Sequence, residues 1–344
     1  MSDMKRIVQR LISEKVGHAA PVEEIVKLHG DASYRIYYRA RMADGASFIV
    51  MQMPDGAQSA SEEITSGGDR HEELPFINVA KYLSGLGLPV PAIHHYSEVD
   101  RLLIIEDLGD DVMARRVDDA NEGERLVWYG RALDLLLLMQ ERTRDGGPRS
   151  CVANARSFDA TLLNWEFDHF REYCIEARTG RPMEDSDRRL FDEETRAITK
   201  TIEAMPYGFT HRDFQSRNLI IRDEALYLID FQDALTGPGV YDLVALARDS
   251  YVVLADSTVV RLIDTYASRV GRDAACVRRE FDLVTVQRKL KDAGRFVYID
   301  RVKHNPNFLK YIPTSLGYVR NALERLPEHA KLTGLIAKSI PDWR

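Results

Sequence analysis

One run of 25 residues constrains this chain more than any other stretch. Residues 209–233 read Phe-Thr-His-Arg-Asp-Phe-Gln-Ser-Arg-Asn-Leu-Ile-Ile-Arg-Asp-Glu-Ala-Leu-Tyr-Leu-Ile-Asp-Phe-Gln-Asp. Leu219–Ile221 and Leu226–Ile229 are short, β-prone runs around the polar Arg222-Asp223-Glu224, which predicts a hairpin. Asn218 and Asp230 flank it symmetrically about Glu224. Antiparallel pairing would bring opposed residues to roughly 5 Å between Cα atoms, within reach of one shared cation. A carboxylate and an amide oxygen are hard donors of the kind magnesium takes, one or two from the protein and the rest from phosphate and water. A lone His-Arg-Asp is usually structural. His211-Arg212-Asp213, Asn218 and Asp230 occurring together around a hairpin are much harder to obtain by chance.

Composition narrows the surroundings. The 344 residues are enough for one bilobal domain or two ordinary ones, and 44% are hydrophobic, which supports a sizeable core. A net charge of −7 without a basic stripe interleaved with aromatics argues against nucleic acid as a partner. The three cysteines, Cys151, Cys174 and Cys276, are odd in number and widely spaced, which fits free thiols in a reducing compartment. Charges interrupt the first ten residues where a signal peptide would be apolar, and the apolar run 133–139 is too short to cross a bilayer. The expectation is a cytoplasmic protein with no membrane partner.

Periodicity predicts a helix over 4–16, strands over 23–28, 34–41 and 47–53, a polar surface loop over 55–73 and a helix over 76–86. Strands follow Pro91 and cover 102–105, and the abrupt acidic switch at 106–111 reads as a connection between lobes. Beyond it, helices are expected over 122–142, 157–178, 186–204, 242–255, 257–270, 276–296 and 313–325. The fold class is α+β and bilobal, with a small β-rich N-lobe (1–107) and a larger, mainly helical C-lobe (108–344).

The loop 208–218, Asp230-Phe-Gln-Asp233 and Gly237-Pro238 with Tyr241-Asp242-Leu243 resemble the aminoglycoside phosphotransferase superfamily, which has the protein-kinase-like fold. Four segments resemble more closely its branch of anomeric sugar kinases, which phosphorylate N-acetylmuramate and N-acetylglucosamine in cell-wall recycling. These are Gly30–Arg35, Asp230–Ala234 with Gly237-Pro238, Glu166 with Phe170–Tyr173, and Gln287–Gly294 with Phe296. The resemblance runs from about residue 28 to 325.

The resemblance implies an ATP-dependent kinase acting on a small-molecule acceptor, an amino sugar, with magnesium. Asp213 would orient the acceptor hydroxyl and take its proton late, and Asn218 and Asp230 would hold the metal. Gly30 and Ser33 would cover the phosphates, and the main chain at Glu106 and Leu108 would meet adenine. The lysine expected on the strand after the glycine turn is missing: Met51, Gln52 and Met53 stand there. Arg35 and Arg39, four apart, share a strand face; Arg35 is either the substitute cation or a solvated arginine. Glu166 is an acceptor contact or an exposed helix residue. Asp233 orients the site or caps the next helix, and Asp242 reads first as a helix N-cap. Arg288 and Lys291, three apart on one helix, meet an acceptor carboxylate or form a solvated basic face. Two alternatives remain: an aminoglycoside, choline or homoserine-type kinase, and a nucleotide-binding regulatory module with degraded catalysis.

Overall fold

The computed structural model describes residues 3–28, 35–53, 73–340 and 343. The first nine described residues form helix α1 (Asp3–Leu11), continued by wider turns to Val16. Strands β1 (Val22–Lys27), β2 (Ile36–Met42) and β3 (Ser47–Gln52) precede helix α2 (Pro75–Gly85) and strands β4 (Ile93–Ser97) and β5 (Leu102–Glu106). Helices α3 (Met113–Asp118), α4 (Glu122–Arg142), α5 (Val152–Ala155), α6 (Ala160–His169) and α7 (Asp185–Glu203) follow. Four short strands come next: β6 (Tyr207–Thr210), β7 (Leu219–Arg222), β8 (Ala225–Leu228) and β9 (Leu235–Pro238). The chain closes with α8 (Tyr241–Ala247), α9 (Asp256–Arg269), α10 (Ala274–Lys303), α11 (Ile312–Glu324) and α12 (Ala330–Ser339). Gly30, Ser33 and all but the last residue of the 55–73 segment lie outside the described residues. Among those described, no helix is long and apolar enough to cross a membrane.

The chain divides into two compact units: 1–111 with 220–232, and 112–219 with 233–344. The first is built on an antiparallel sheet in the order β1-β2-β3-β5-β4. Registers such as Ala40↔Phe48 and Val50↔Ile104 carry Ala40, Met42, Phe48, Val50, Leu102 and Ile104 onto one face, by the two-residue period of a strand. Val8, Leu11 and Ile12 of the N-terminal helix bury against that face. Each large apolar side chain so buried is worth about 1.5–3 kcal/mol.

The hairpin belongs to this first unit, tied by Ile221 N–H to Asp111 O (2.7 Å) and Leu228 N–H to Pro89 O (2.8 Å). Its turn is shorter than the sequence suggested. Asp223 and Glu224 both have positive φ, 49° and 61°, which makes a two-residue turn centred between them and not on Glu224. The strands end at Leu219 and Leu228, so the ladder does not reach Asn218 or Asp230 and the expected cross-strand pairing of those two is not formed.

The second unit is helical apart from β6 and β9, which pair antiparallel from Tyr207↔Pro238 to Thr210↔Leu235. Gly237 is required there, because a Cβ would lie 2.7 Å from the Phe158 ring and 2.9 Å from Thr210 Oγ1. The helix expected to end at 255 stops at Ala247: the Asp249 carboxylate accepts from Tyr251 N–H (2.9 Å), a local turn that competes with helix. The 30-residue α10 is the longest element and packs along α6 and its π-helical continuation Phe170–Ala177. At Gly294 the approach is backbone-close: a Cβ would sit 2.7 Å from Phe170 Cα and 2.8 Å from His169 O.

Candidate active site

Between β6 and β7 the chain runs through His211-Arg212-Asp213 with backbone that few residues adopt. Arg212 has φ 75°, a left-handed conformation that costs about 1–2 kcal/mol unless surroundings impose it. The surroundings do so from three sides. Asp242 accepts from His211 N–H (2.7 Å) and Arg212 N–H (2.9 Å). Glu166 accepts from Arg212 Nη2 at 2.8 Å and from Gln287 Nε2 at 2.6 Å. Arg288 donates from Nη1 to Arg212 O (2.6 Å) and from Nη2 to Asp213 Oδ1 (3.1 Å).

These contacts revise three expectations. Glu166 is 0% exposed, so it is neither a solvated helix residue nor placed to touch an acceptor directly; its charge is committed to Arg212. Arg288 is 1% exposed, which rules out a solvated basic face, and its guanidinium is engaged with the loop carbonyl and Asp213. Asp242 does not cap a helix; it lies inside α8 and braces the loop backbone.

Electrostatics follow from this packing. Burial alone would raise the Asp213 carboxyl, but Lys291, Arg288 and Arg212, with the Arg288 hydrogen bond, bring it down to about 2. It is therefore ionised at any physiological pH, and its side chain keeps 30% exposure, enough for a hydroxyl to reach it. Such a carboxylate is a weak base and a good hydrogen-bond acceptor. Burial pushes Asp242 the other way, up to about 7, against its two amide donors and the Arg288 charge. Asn218 lies in a 3-10 turn, Ser216–Asn218, and donates Nδ2 to Asp213 O at 2.8 Å, which commits its nitrogen and leaves Oδ1 as the atom that could ligate a cation. Ser216 beneath it is held by Asp249 (Oγ 2.6 Å, N–H 3.2 Å). Asp233 is half-buried, and its charge is among those that stabilise protonated Arg212.

In the first unit Asp230 has φ 65°, and its Oδ1 accepts from Gln232 Nε2 at 2.8 Å. Phe231 beside it is fully buried and packs against Phe76 of α2, the rings tilted by 30° with 4.9 Å between centroids. Glu106 ends β5; its N–H donates to Ala92 O (2.8 Å) and its carboxylate pairs with Arg222 and Ala92 N–H. Leu108 is buried. At the position of the missing lysine, Met51 is 0% exposed. Arg35 lies one residue before β2 and is half-buried. Arg39 clamps two carboxylates instead. It meets Asp107 (2.6 and 3.0 Å) and Asp110 (2.5 Å), and these partners hold its guanidinium protonated despite burial. Gln287, Asp242 as a brace and the Arg39 clamp carry no sequence signal, because each acts through residues dozens of positions away.

A five-stranded antiparallel sheet in one unit, with a braced His-Arg-Asp loop in a helical second unit, defines a phosphotransferase: the chain belongs to the phosphotransferase enzyme family (APH), matched over residues 24–278. Its fold is that of choline kinase LicA from Streptococcus pneumoniae (TM-score 0.59, 15% identity, 95% of this chain and 100% of that one). It is equally that of the aminoglycoside phosphotransferase APH(2'')-Ib (TM-score 0.57, 13% identity, 94% and 99%). Among sequence relatives is the N-acetylmuramate/N-acetylglucosamine kinase of Pseudomonas aeruginosa, 28% identical over 96% of this chain and 92% of its own. Another is the protein of the same name from Pseudomonas putida, 27% identical over 92% and 89%.

Proposed function

We propose that the chain is an ATP- and magnesium-dependent cytoplasmic kinase that phosphorylates a sugar hydroxyl, the anomeric one of an amino sugar such as N-acetylglucosamine or N-acetylmuramate. The observation that carries this reading is that relatives matching nearly the whole chain share the name N-acetylmuramate/N-acetylglucosamine kinase. The braced, ionised Asp213 supports it chemically. With Oδ1 held by Arg288, Asp213 presents its other oxygen to the acceptor O–H and aligns it for attack on the γ-phosphorus. The new P–O bond forms as the bond from phosphorus to the β-γ bridging oxygen breaks and ADP leaves; the hydroxyl proton passes late to Asp213 and then to solvent.

In this reading Asn218 and Asp230 ligate magnesium, which supplies charge neutralisation on the phosphates. Both offer hard oxygen donors; Asn218 is fixed by donating Nδ2 to Asp213 O, and Asp230 by accepting from Gln232 Nε2. Residues 1–107 serve the nucleotide: Gly30, Ser33 and Arg35 at the phosphates, Glu106 and Leu108 at adenine through main-chain atoms. Residues 108–344 carry catalysis and the acceptor, with Asp233 beside the loop. Glu166 and Arg288 act on the acceptor indirectly, by fixing the loop.

ADP release from Mg-ATP, measured against N-acetylglucosamine, N-acetylmuramate, glucosamine, kanamycin and choline, tests this. Turnover of an N-acetylated sugar, lost in Asp213→Ala and giving a C1 phosphate by phosphorus NMR, is the expected result. Turnover of kanamycin or choline alone would refute it, and ATP binding without any turnover would select the regulatory alternative.

A further inference from the structure

Two helical stripes run away from the catalytic loop, and nothing in the chemistry above uses their far ends. On α10, Arg288, Lys291, Arg295 and Tyr298 recur at spacings of three, four and three, one face of a helix. At 1.5 Å per residue, Lys291, Arg295 and Tyr298 lie about 4.5, 10 and 15 Å along the axis beyond Arg288, the residue that touches Asp213. On the packed partner, Glu166, His169 and Tyr173 recur at three and four, with Trp165 adjoining. His169 is the hub of a ring cluster: Trp165 at 5.2 Å, Tyr173 at 4.6 Å and Tyr298 at 5.3 Å between centroids. Trp165, Tyr173, Tyr298, Lys291 and Arg295 are all half-buried, so the cluster has an open side.

Two features of this cluster call for a ligand. His169 is 6% exposed, yet among the described residues its Nε2 has no hydrogen-bond partner, an omission that ordinarily destabilises a buried polar atom. Burial, then the charges of Arg295 and Lys291, hold its imidazole neutral, down at about 4. The cations are also in excess. Among the described residues Arg295 has no carboxylate partner, only the Tyr298 ring at 5.0 Å. Lys291 has Asp292 at 3.5 Å, but Asp292 is already held by Lys289 at 2.7 Å, and Glu166 and Asp213 are paired to Arg212 and Arg288.

We infer that Lys291, Arg295 and Tyr298, with Trp165, His169 and Tyr173, form the acceptor subsite and select an amino sugar bearing a carboxylate over its neutral counterpart. The inference rests on the function proposed above. The ring faces cover the apolar C–H face of a pyranose, His169 Nε2 meets a ring substituent, and Lys291 and Arg295 hold the carboxylate.

The test is kcat/KM of the full chain for N-acetylmuramate and N-acetylglucosamine, in wild type, Lys291→Met, Arg295→Met and Arg295→Glu. Wild type should favour N-acetylmuramate. Each Met variant should lower the muramate-to-glucosamine ratio about tenfold, mainly through KM, as one charged hydrogen bond is worth. Arg295→Glu should lower the ratio further, and all variants should melt within a few degrees of wild type. A ratio unchanged within about twofold, or both sugars falling together, overturns the inference. Wild type that turns over N-acetylglucosamine alone also overturns it while sparing the sugar-kinase reading; wild type that turns over neither overturns both.

Discussion

Replacing Glu166 probes whether the catalytic loop is held by a buried charge. The carboxylate is 0% exposed, and the Arg212 side chain it faces is 6% exposed. Truncation to alanine therefore strands a guanidinium that water cannot reach. Removing one partner of a buried pair costs about 3–5 kcal/mol, and the lost Gln287 bond adds about 1 kcal/mol. The total of about 4–6 kcal/mol rivals the 5–15 kcal/mol that holds an ordinary domain together. Glutamine at 166 should cost far less. It keeps an oxygen for Arg212, and its new amide meets Gln287, whose Oε1 has no partner among the described residues and can accept after the Gln287 amide flips. Only the charge is lost, about 1–2 kcal/mol, the difference between a charged and a neutral hydrogen bond.

Equilibrium unfolding in urea, followed by tryptophan fluorescence, measures both variants; the midpoint should move without a change in slope. Losses within about 1 kcal/mol of each other, or an alanine loss below about 1 kcal/mol, would refute the reasoning. There is a pH signature as well. Burial would raise the Glu166 carboxyl, but Lys291 and Arg212, with the hydrogen bonds from Gln287 and Arg212, hold it below the usual glutamate range. The unfolded chain therefore binds this proton more tightly than the folded one. The stabilisation is present above the ordinary glutamate pKa and is lost as pH falls through the lower folded value. Glu166→Gln should flatten that acid limb.

Asp242→Asn places an amide nitrogen against a backbone N–H of His211 or Arg212; kcat should fall with nucleotide affinity retained, and stability should drop by about 1–3 kcal/mol. Because burial raises Asp242 to about 7, the folded state binds its proton more tightly, so its contribution to stability weakens as pH rises from about 4 towards 7; thermal melts of wild type and variant across that window should converge at high pH. Gly294→Ala forces α10 away from the Phe170 backbone, at a cost of about 1–3 kcal/mol in melting experiments and with a larger effect on acceptor KM than on that of ATP. Arg39→Met strands Asp107, whose side chain is 4% exposed; a loss of about 3 kcal/mol is expected, and Asp107→Leu in the same chain should recover most of it.

The candidate site was legible in the sequence because its parts are contiguous: Asp213, Asn218 and Asp230 lie within 18 positions. The sheet was legible because strands that bury one face alternate. The scaffold behind the loop was not. Glu166 and Gln287 are 121 residues apart, and a polar residue on a helix reads as solvated until its partner is known. Strands β6 and β9 are four residues each and carry Gly208, Gly237 and Pro238, residues that ordinarily mark turns; only close packing against Phe158 shows why glycine is needed. Spacing could not show that Arg39 is committed to Asp107 and Asp110, which lie 68 and 71 positions away.

The continuity of α10 has a bearing on how acceptor preference changes in such enzymes. Arg288, which holds the Asp213 carboxylate, and Lys291, Arg295 and Tyr298 ride on one uninterrupted rod, pinned sideways at Gly294. The interval between the reacting atom and the far end of the acceptor is then a ruler cut in helical turns, with no hinge to stretch it. A longer or shorter acceptor has to be met by exchanging side chains at those three marks, so a new specificity can arise there while the graduation at Arg288 stays where it is.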